Sequence, residues 1–272
     1  MRIRWVSLFA VLLLGIAQAA AGTSYYLALG DSLAIGIQPS KTGDVPTNQG
    51  YADDLYAVLR TRVRGLSLAK LGCSGETTTS MISGGICTYS GGSQLAAAVS
   101  FLQSHPVALI TLDIGANDVD HCVTASGIDQ NCFVEGVETV AANLPRIVAA
   151  LRNAAGPNTP IIAMNYYDPF LAAWIQGSAG QTLAEESLTA TNAFNGVIEN
   201  AYQAFDVPVA DVASAFNVNN FTLVPFINIP VNVFITLTWT WMAAPAPYGP
   251  DIHPDAIGYA AIAVAFVEKI GR

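Results

Sequence analysis

Four short stretches carry the residues of this chain best suited to acyl-transfer chemistry: Gly30-Asp31-Ser32-Leu33, Ser74-Gly75-Glu76-Thr77, Gly115-Ala116-Asn117-Asp118 and Asp251-Ile252-His253-Pro254. Acyl transfer needs a nucleophile, a base to take its proton, and donors aimed at the oxygen that becomes negative. Ser32 offers the hydroxyl, and His253 offers an imidazole to receive its proton. Three donors suit the oxyanion: the Ser32 backbone N–H, the Gly75 backbone N–H and the Asn117 side-chain amide. Gly75 fits this role because a residue without Cβ lets backbone come close to substrate. Asp31 and Asp118, beside the serine and the asparagine, read as braces for their loops, since aspartates readily accept hydrogen bonds from nearby backbone N–H groups.

Such residues cooperate only if the fold gathers them, and the pattern around each stretch says how it does. Apolar strand-like runs at Tyr25–Leu29, Leu66–Gly72, Val107–Gly115, Pro160–Tyr167 and Val207–Val212 alternate with helical stretches. The helices are expected over Gly50–Val63, Ser93–His105, Phe133–Ala155, Leu183–Phe205 and Asp255–Ile270. In the first of them Tyr51, Leu55, Val58 and Leu59 share one face at helical spacing. The run from Val107 to Gly115 is almost wholly apolar, as a central parallel strand covered on both faces must be. Strand–helix alternation implies βαβ units, and right-handed crossovers then give an α/β fold: a three-layer α/β/α sandwich with a five-stranded parallel sheet. In such sheets ligands bind beyond the carboxyl ends of the strands. The serine, glycine and asparagine stretches each follow a strand, and the histidine stretch precedes the last helix, so all four are expected at one edge.

Apolar residues make up 52% of the 272-residue chain and charged residues only 11%, which excludes a disordered chain. The formal charge of −9 argues against a nucleic-acid partner, since a polyanion is repelled by an acidic surface. Arg2 and Arg4 followed by the apolar run Val6–Ala17 and a small-residue stretch read as an export signal, residues 1–21, cleaved after Ala19 or Ala21. The run is too short for a comfortable membrane span. The remainder, 22–272, reads as one domain of a secreted monomer. Export makes Cys73, Cys87, Cys122 and Cys132 a disulfide set with three possible connectivities. The local pairs Cys73–Cys87 and Cys122–Cys132 close short loops without bringing distant strands together. His121 beside Cys122 lacks zinc-like spacing, so no metal is expected. One long apolar, proline-broken segment, Ala215–Pro250, interrupts the alternation. A structureless stretch of that length is expected to wall or cover a pocket, with Phe226, Phe234, Trp239 and Trp241 as substrate-binding candidates. Plain core packing is the competing reading. Tyr166, Tyr167 and Asp168, after the fourth strand, stand on the same edge.

The stretches "GDSL", "SGET", "GAND" and "HP", in that order and spread over nearly the whole mature chain, resemble the four sequence blocks of the GDSL, or SGNH, hydrolase family. "AKLGCSGETT" is similar to the corresponding stretch in its secreted bacterial members. The resemblance implies a flavodoxin-like fold and serine esterase, lipase or acyl-hydrolase activity on small-molecule or lipid esters, or carbohydrate deacetylation, without metal or other cofactor. It assigns the family's namesake roles to Ser32, Gly75, Asn117 and His253. The family's last block places a carboxylate three residues before the histidine. Here Pro250 stands there and Asp251 follows it, so either Asp251 or a backbone carbonyl, of Pro250 or Gly249, orients the ring.

Overall fold

The computed structural model describes residues 23–270, so the expected export signal lies outside the described residues. In chain order they form β1 (Ser24–Gly30), the one-turn α1 (Ser32–Ile35), a hairpin of β2 (Ile37–Ser40) and β3 (Gly43–Pro46), α2 (Tyr51–Leu59), β4 (Leu66–Lys70), α3 (Thr78–Ser83), α4 (Gln94–Ser104) and β5 (Val107–Asp113). A second small hairpin, β6 (Val123–Thr124) and β7 (Gly127–Ile128), precedes α5 (Gln130–Ala155), β8 (Ile161–Met164), α6 (Ser178–Gln203), β9 (Val209–Ala210), α7 (Val212–Ala215), α8 (Val231–Trp239) and α9 (Ala256–Val267).

Strands β4, β1, β5, β8 and β9 lie side by side in that order, all parallel, which is the five-stranded sheet expected. Tyr26 to Leu29 of β1 and Leu109 to Leu112 of β5 are buried, because helices cover both faces. Helix α2 packs on α9, where the Tyr51 and Phe266 rings stack 4.9 Å apart, and α4, α5 and α6 pack against one another in turn. The chain steps from β1 outward to β4, then returns to β5 on the other side and continues to β8. The strand order therefore reverses between β1 and β5, the place where open α/β sheets leave a crevice for ligand. Register sharpens this: Gly30 pairs with Asp113 and Ala28 with Lys70, so β1, β4 and β5 end nearly level. The segments carrying Ser32, Gly75 and Asn117 thus leave the sheet together.

Small polar caps start the helices that matter to this edge. Thr77 caps α3, Ser93 caps α4 through the Ala96 N–H, and Asp255, two residues past His253, accepts from the Ile257 and Gly258 N–H groups to begin α9. Each such cap is worth about 1 kcal/mol. The local disulfides, Cys73–Cys87 and Cys122–Cys132, are both formed.

The largest departure from expectation lies in Ala215–Pro250. Its centre is helical, as α8, and packs against the 3-10 segment Pro169–Gln176 with Val233, Ile235 and Thr236 buried. Pro230 caps this helix at a position where a proline costs no hydrogen bond. Helices α5 and α6 also begin earlier than expected, at Gln130 and Ser178. Among the described residues, no helix is long and apolar enough to cross a membrane.

Candidate active site

Ser32 is the first residue of α1, and three neighbours fix the turn that presents it. Asp31 caps the helix through the Leu33 N–H at 2.9 Å. Beneath it, the Asp113 carboxylate accepts from the Ala34 and Asp31 N–H groups, at 3.1 and 3.3 Å, and from the Tyr51 hydroxyl. Gly30 has φ of +138°, and a Cβ there would run into the backbone and carboxylate of Asp113, so only glycine fits between β1 and β5. Burial pushes the Asp31 acid up to about 6, and burial together with the Asp31 charge pushes Asp113 well above the usual carboxylate range. The two acids therefore resist ionising together.

The donor loops are tied to one another and to β1. Asn117 donates one amide hydrogen to the Glu76 carbonyl at 3.0 Å, which fixes the side chain and leaves its second N–H free. Asp118 accepts from the Thr78 N–H and hydroxyl, each at 2.8 Å. Gln94 grips both the N–H and the carbonyl of Gly30, at 2.7 and 2.8 Å, and donates to the Glu76 carboxylate at 2.9 Å. Gly75, next to Glu76, has φ of +79° and open space where a Cβ would be. Among the described residues neither the Ser32 nor the Gly75 backbone N–H has a partner within the protein.

His253 is buried and arrives from the loop ahead of α9. Its Nδ1 lies 2.7 Å from Asp251 Oδ1, and the same oxygen accepts the His253 backbone N–H at 2.8 Å. A two-residue spacing reaches the ring because the carboxylate closes a tight turn on its own loop; the Pro250 and Gly249 carbonyls are not ring partners. Burial pushes the Asp251 acid up, but its hydrogen bonds to His253 and the charge there outweigh it and hold the carboxyl below the usual range. The loop is pinned by Tyr167, whose hydroxyl donates to the Ile252 carbonyl at 2.7 Å, and by the Trp241 N–H, which donates to the His253 carbonyl at 3.0 Å. No hydrogen bond joins Ser32 to His253; such contacts commonly tighten only around substrate.

Ser32, Asn117 and His253 line one cleft that opens to solvent. Its lining includes the apolar side chains of Val119, Val123, Phe133, Phe170 and Phe194. Tyr166 and Tyr167 stand on the wall, as does Asp120, whose acid is pushed up to about 8 by burial and by the charges of Asp31 and Asp168. One face of α6 completes the wall with Ser187, Ala190, Thr191 and Phe194, at helical spacing. The sequence reading missed this face, although the i, i+3, i+4, i+7 spacing and the small side chains were visible in it.

The four aromatic candidates of Ala215–Pro250 are not among the side chains lining this cleft: Trp239 packs edge-on against Phe216, Trp241 donates its indole N–H to Gln38 at 2.8 Å, Phe234 lies half-buried on α8, and Phe226 projects into solvent. Apolar content in Ala215–Pro250 reports burial, not which surface is buried against. His105 stacks on Phe101, and His121 sits 3.3 Å from Cys132 Sγ, outside the cleft. Among the described residues, two groups of side chains bring metal-type donor atoms together: His121 with Cys122 and Cys132, and Asp44 with Asp251 and His253. Both sulfurs of the first are spent in a disulfide, and the His253 Nδ1 of the second faces the Asp251 carboxylate it hydrogen-bonds.

Residues 28–261 match the model of the GDSL-like lipase/acylhydrolase family. No curated protein matches the chain. Among solved structures, an acetylxylan esterase from Geobacillus stearothermophilus is 19% identical with a TM-score of 0.56, covering 93% of this chain and 97% of its own. An extracellular lipase from Streptomyces rimosus is 18% identical with a TM-score of 0.56, covering 90% of this chain and 99% of its own. At these identities the likeness shows a shared fold.

Proposed function

The chain belongs to the GDSL-like lipase/acylhydrolase family and is a carboxylic ester hydrolase, and we propose that it works through a covalent acyl-enzyme on Ser32 with His253 as general base. The supporting observation is that Ser32, Asn117 and His253, carried by three separate segments, converge on one cleft at the sheet's switch point. In the first half-reaction Ser32 Oγ bonds to the ester carbonyl carbon while His253 Nε2 takes the hydroxyl proton. The carbonyl oxygen becomes an oxyanion facing the Ser32 and Gly75 N–H groups and the free Asn117 amide hydrogen. Collapse breaks the bond to the alcohol, which leaves with the proton from His253. Water then gives its proton to His253 and its oxygen to the acyl carbon, releasing the acid and restoring Ser32. Asp251 holds Nδ1 so that Nε2 faces the serine, and it stabilises the imidazolium formed in each half.

The apolar side chains in the cleft lining favour an acyl chain over a sugar-borne acetyl group. The paired disulfides favour an exported enzyme, since such bonds persist in oxidising compartments. Labelling with a fluorophosphonate, alongside hydrolysis of p-nitrophenyl esters from acetate to decanoate and of acetylated xylan, tests the reading. The intact protein should be labelled and Ser32→Ala should be neither labelled nor active. Persisting activity in Ser32→Ala sinks the mechanism, and preference for acetylated xylan replaces the acyl-ester substrate with a carbohydrate one.

A further inference from the structure

The β2–β3 hairpin lies outside the main sheet, yet three hydrogen bonds fasten it to the segment bearing His253. Gln38 accepts the Trp241 indole N–H at 2.8 Å and donates its own amide to the Pro254 carbonyl at 3.0 Å. The Tyr259 hydroxyl donates to the Ile37 carbonyl at 2.9 Å. These ties reach the chain before and after the histidine. They fix the hairpin so that Asp44, on β3, sets its Oδ2 3.9 Å from His253 Nδ1. Carboxyl oxygens of Asp44 and Asp251 and the His253 ring nitrogen all lie within 4.8 Å of one another.

We propose that Asp44 is a second positioning residue for the general base, so that the Nδ1 edge of His253 is held by a pair of carboxylates from two different elements. The inference rests on the assignment of Ser32 and His253 given above. Asp251 already spends one oxygen on both the ring and the backbone of His253, and it comes from the same short loop as the ring it orients. Asp44 approaches from the hairpin that follows directly on the nucleophile's helix, and so ties the base to the serine side of the site. Its negative charge is placed to stabilise the imidazolium that appears when Ser32 yields its proton. Burial and the neighbouring Asp251 charge push the Asp44 acid up, opposed by His253, so Asp44 is the member of the pair that takes up a proton first on acidification. The other ionisable groups around the base are Asp31, Asp120, Tyr167 and Tyr259, with Lys41 at the hairpin turn. All of them stay unchanged in the test.

The experiment is the pH profile of kcat/KM on p-nitrophenyl butyrate for the unmodified enzyme, Asp44→Asn, Asp251→Asn and the double variant. Removing a negative charge beside the ring makes the imidazolium less stable. The acid limb of Asp44→Asn should therefore move to lower pH by about half a unit to one unit, the low end for an opposite charge at this range. Asp44 is 42% exposed, so salt should shrink the shift. Asp251→Asn should keep activity about tenfold above the double variant, as expected of coupled neighbours. An unmoved acid limb in Asp44→Asn, with a double variant no worse than Asp251→Asn, overturns the proposal. Ser32→Ala, assayed in parallel, separates the two failures. If it is active, the site assignment falls; if it is inactive while Asp44→Asn is unshifted, only the role of Asp44 falls.

Discussion

Asn117→Ala is the substitution that most directly probes the oxyanion assignment, because the structure says how the amide is divided. One N–H is committed to the Glu76 carbonyl at 3.0 Å, so a single hydrogen remains for substrate. Truncation removes one preorganised donor, which typically costs about 3–4 kcal/mol of transition-state stabilisation, or roughly 10²–10³ in kcat. The donor acts on charge that develops after binding, so KM should change by no more than about threefold. The Glu76 carbonyl also loses a partner, worth about 1 kcal/mol of folding stability, and less where water replaces the amide, as it can at half-buried Asn117. Pre-steady-state hydrolysis of p-nitrophenyl acetate separates acylation from deacylation, and a thermal melt measures the folding term. Asn117→Asp keeps the shape but replaces the donor with an acceptor facing the oxyanion, and should be the slower of the two variants. A loss in kcat below about tenfold for Asn117→Ala, in a protein that melts normally, would refute the assignment.

Two further outcomes follow from the cleft and from what lies beneath it. The buried Asp31–Asp113 pair keeps protons in the folded chain that the unfolded chain has already released, since burial pushes Asp31 up to about 6 and Asp113 well above the usual carboxylate range. Their contribution to stability is complete below pH 4 and is lost as pH rises through 6 and beyond. Calorimetry from pH 4 to 8 should show that trend, with Asp113→Asn, neutral at every pH, flattening it; an equal slope in both proteins would contradict the pairing. At the cleft wall, Ala190→Phe should depress hydrolysis of p-nitrophenyl octanoate far more than of the acetate, whereas Trp241→Phe should leave that ratio within about twofold; the reverse pattern would move the acyl site to Ala215–Pro250.

What could be read from the amino-acid sequence was whatever had both a required residue type and a marked position. Ser32 and Asn117 each follow an apolar run that could only be a buried strand, and the sheet topology then dictates that they meet. The cleft walls lacked such marks. Ala190 and Thr191 look like any small residues on a helix packed against a neighbour, and only three-dimensional placement turns that face toward the cleft. The surroundings of the tryptophans were hidden for the converse reason: Trp239 and Trp241 are large and apolar, but their partners, Phe216 and Gln38, are distant in sequence. Helix α8 was hidden by its β-branched run and flanking prolines, a composition that local propensity assigns elsewhere. The contact of Asp251 with the His253 ring could not be fixed by counting residues, because it depends on one oxygen serving both ring and backbone.

Gln94 has no contact with the chemistry, yet it joins the end of β1 to Glu76, and Glu76 in turn holds Asn117. The loops at 74–78 and 115–118 are closed on each other again by Thr78 and Asp118. They are thus a single graft, not two interchangeable parts. Anyone who transplants one of them into a related scaffold to alter its selectivity parts Asn117 from its anchor; the two loops must be moved as a set, with a glutamine waiting for them at the head of α4.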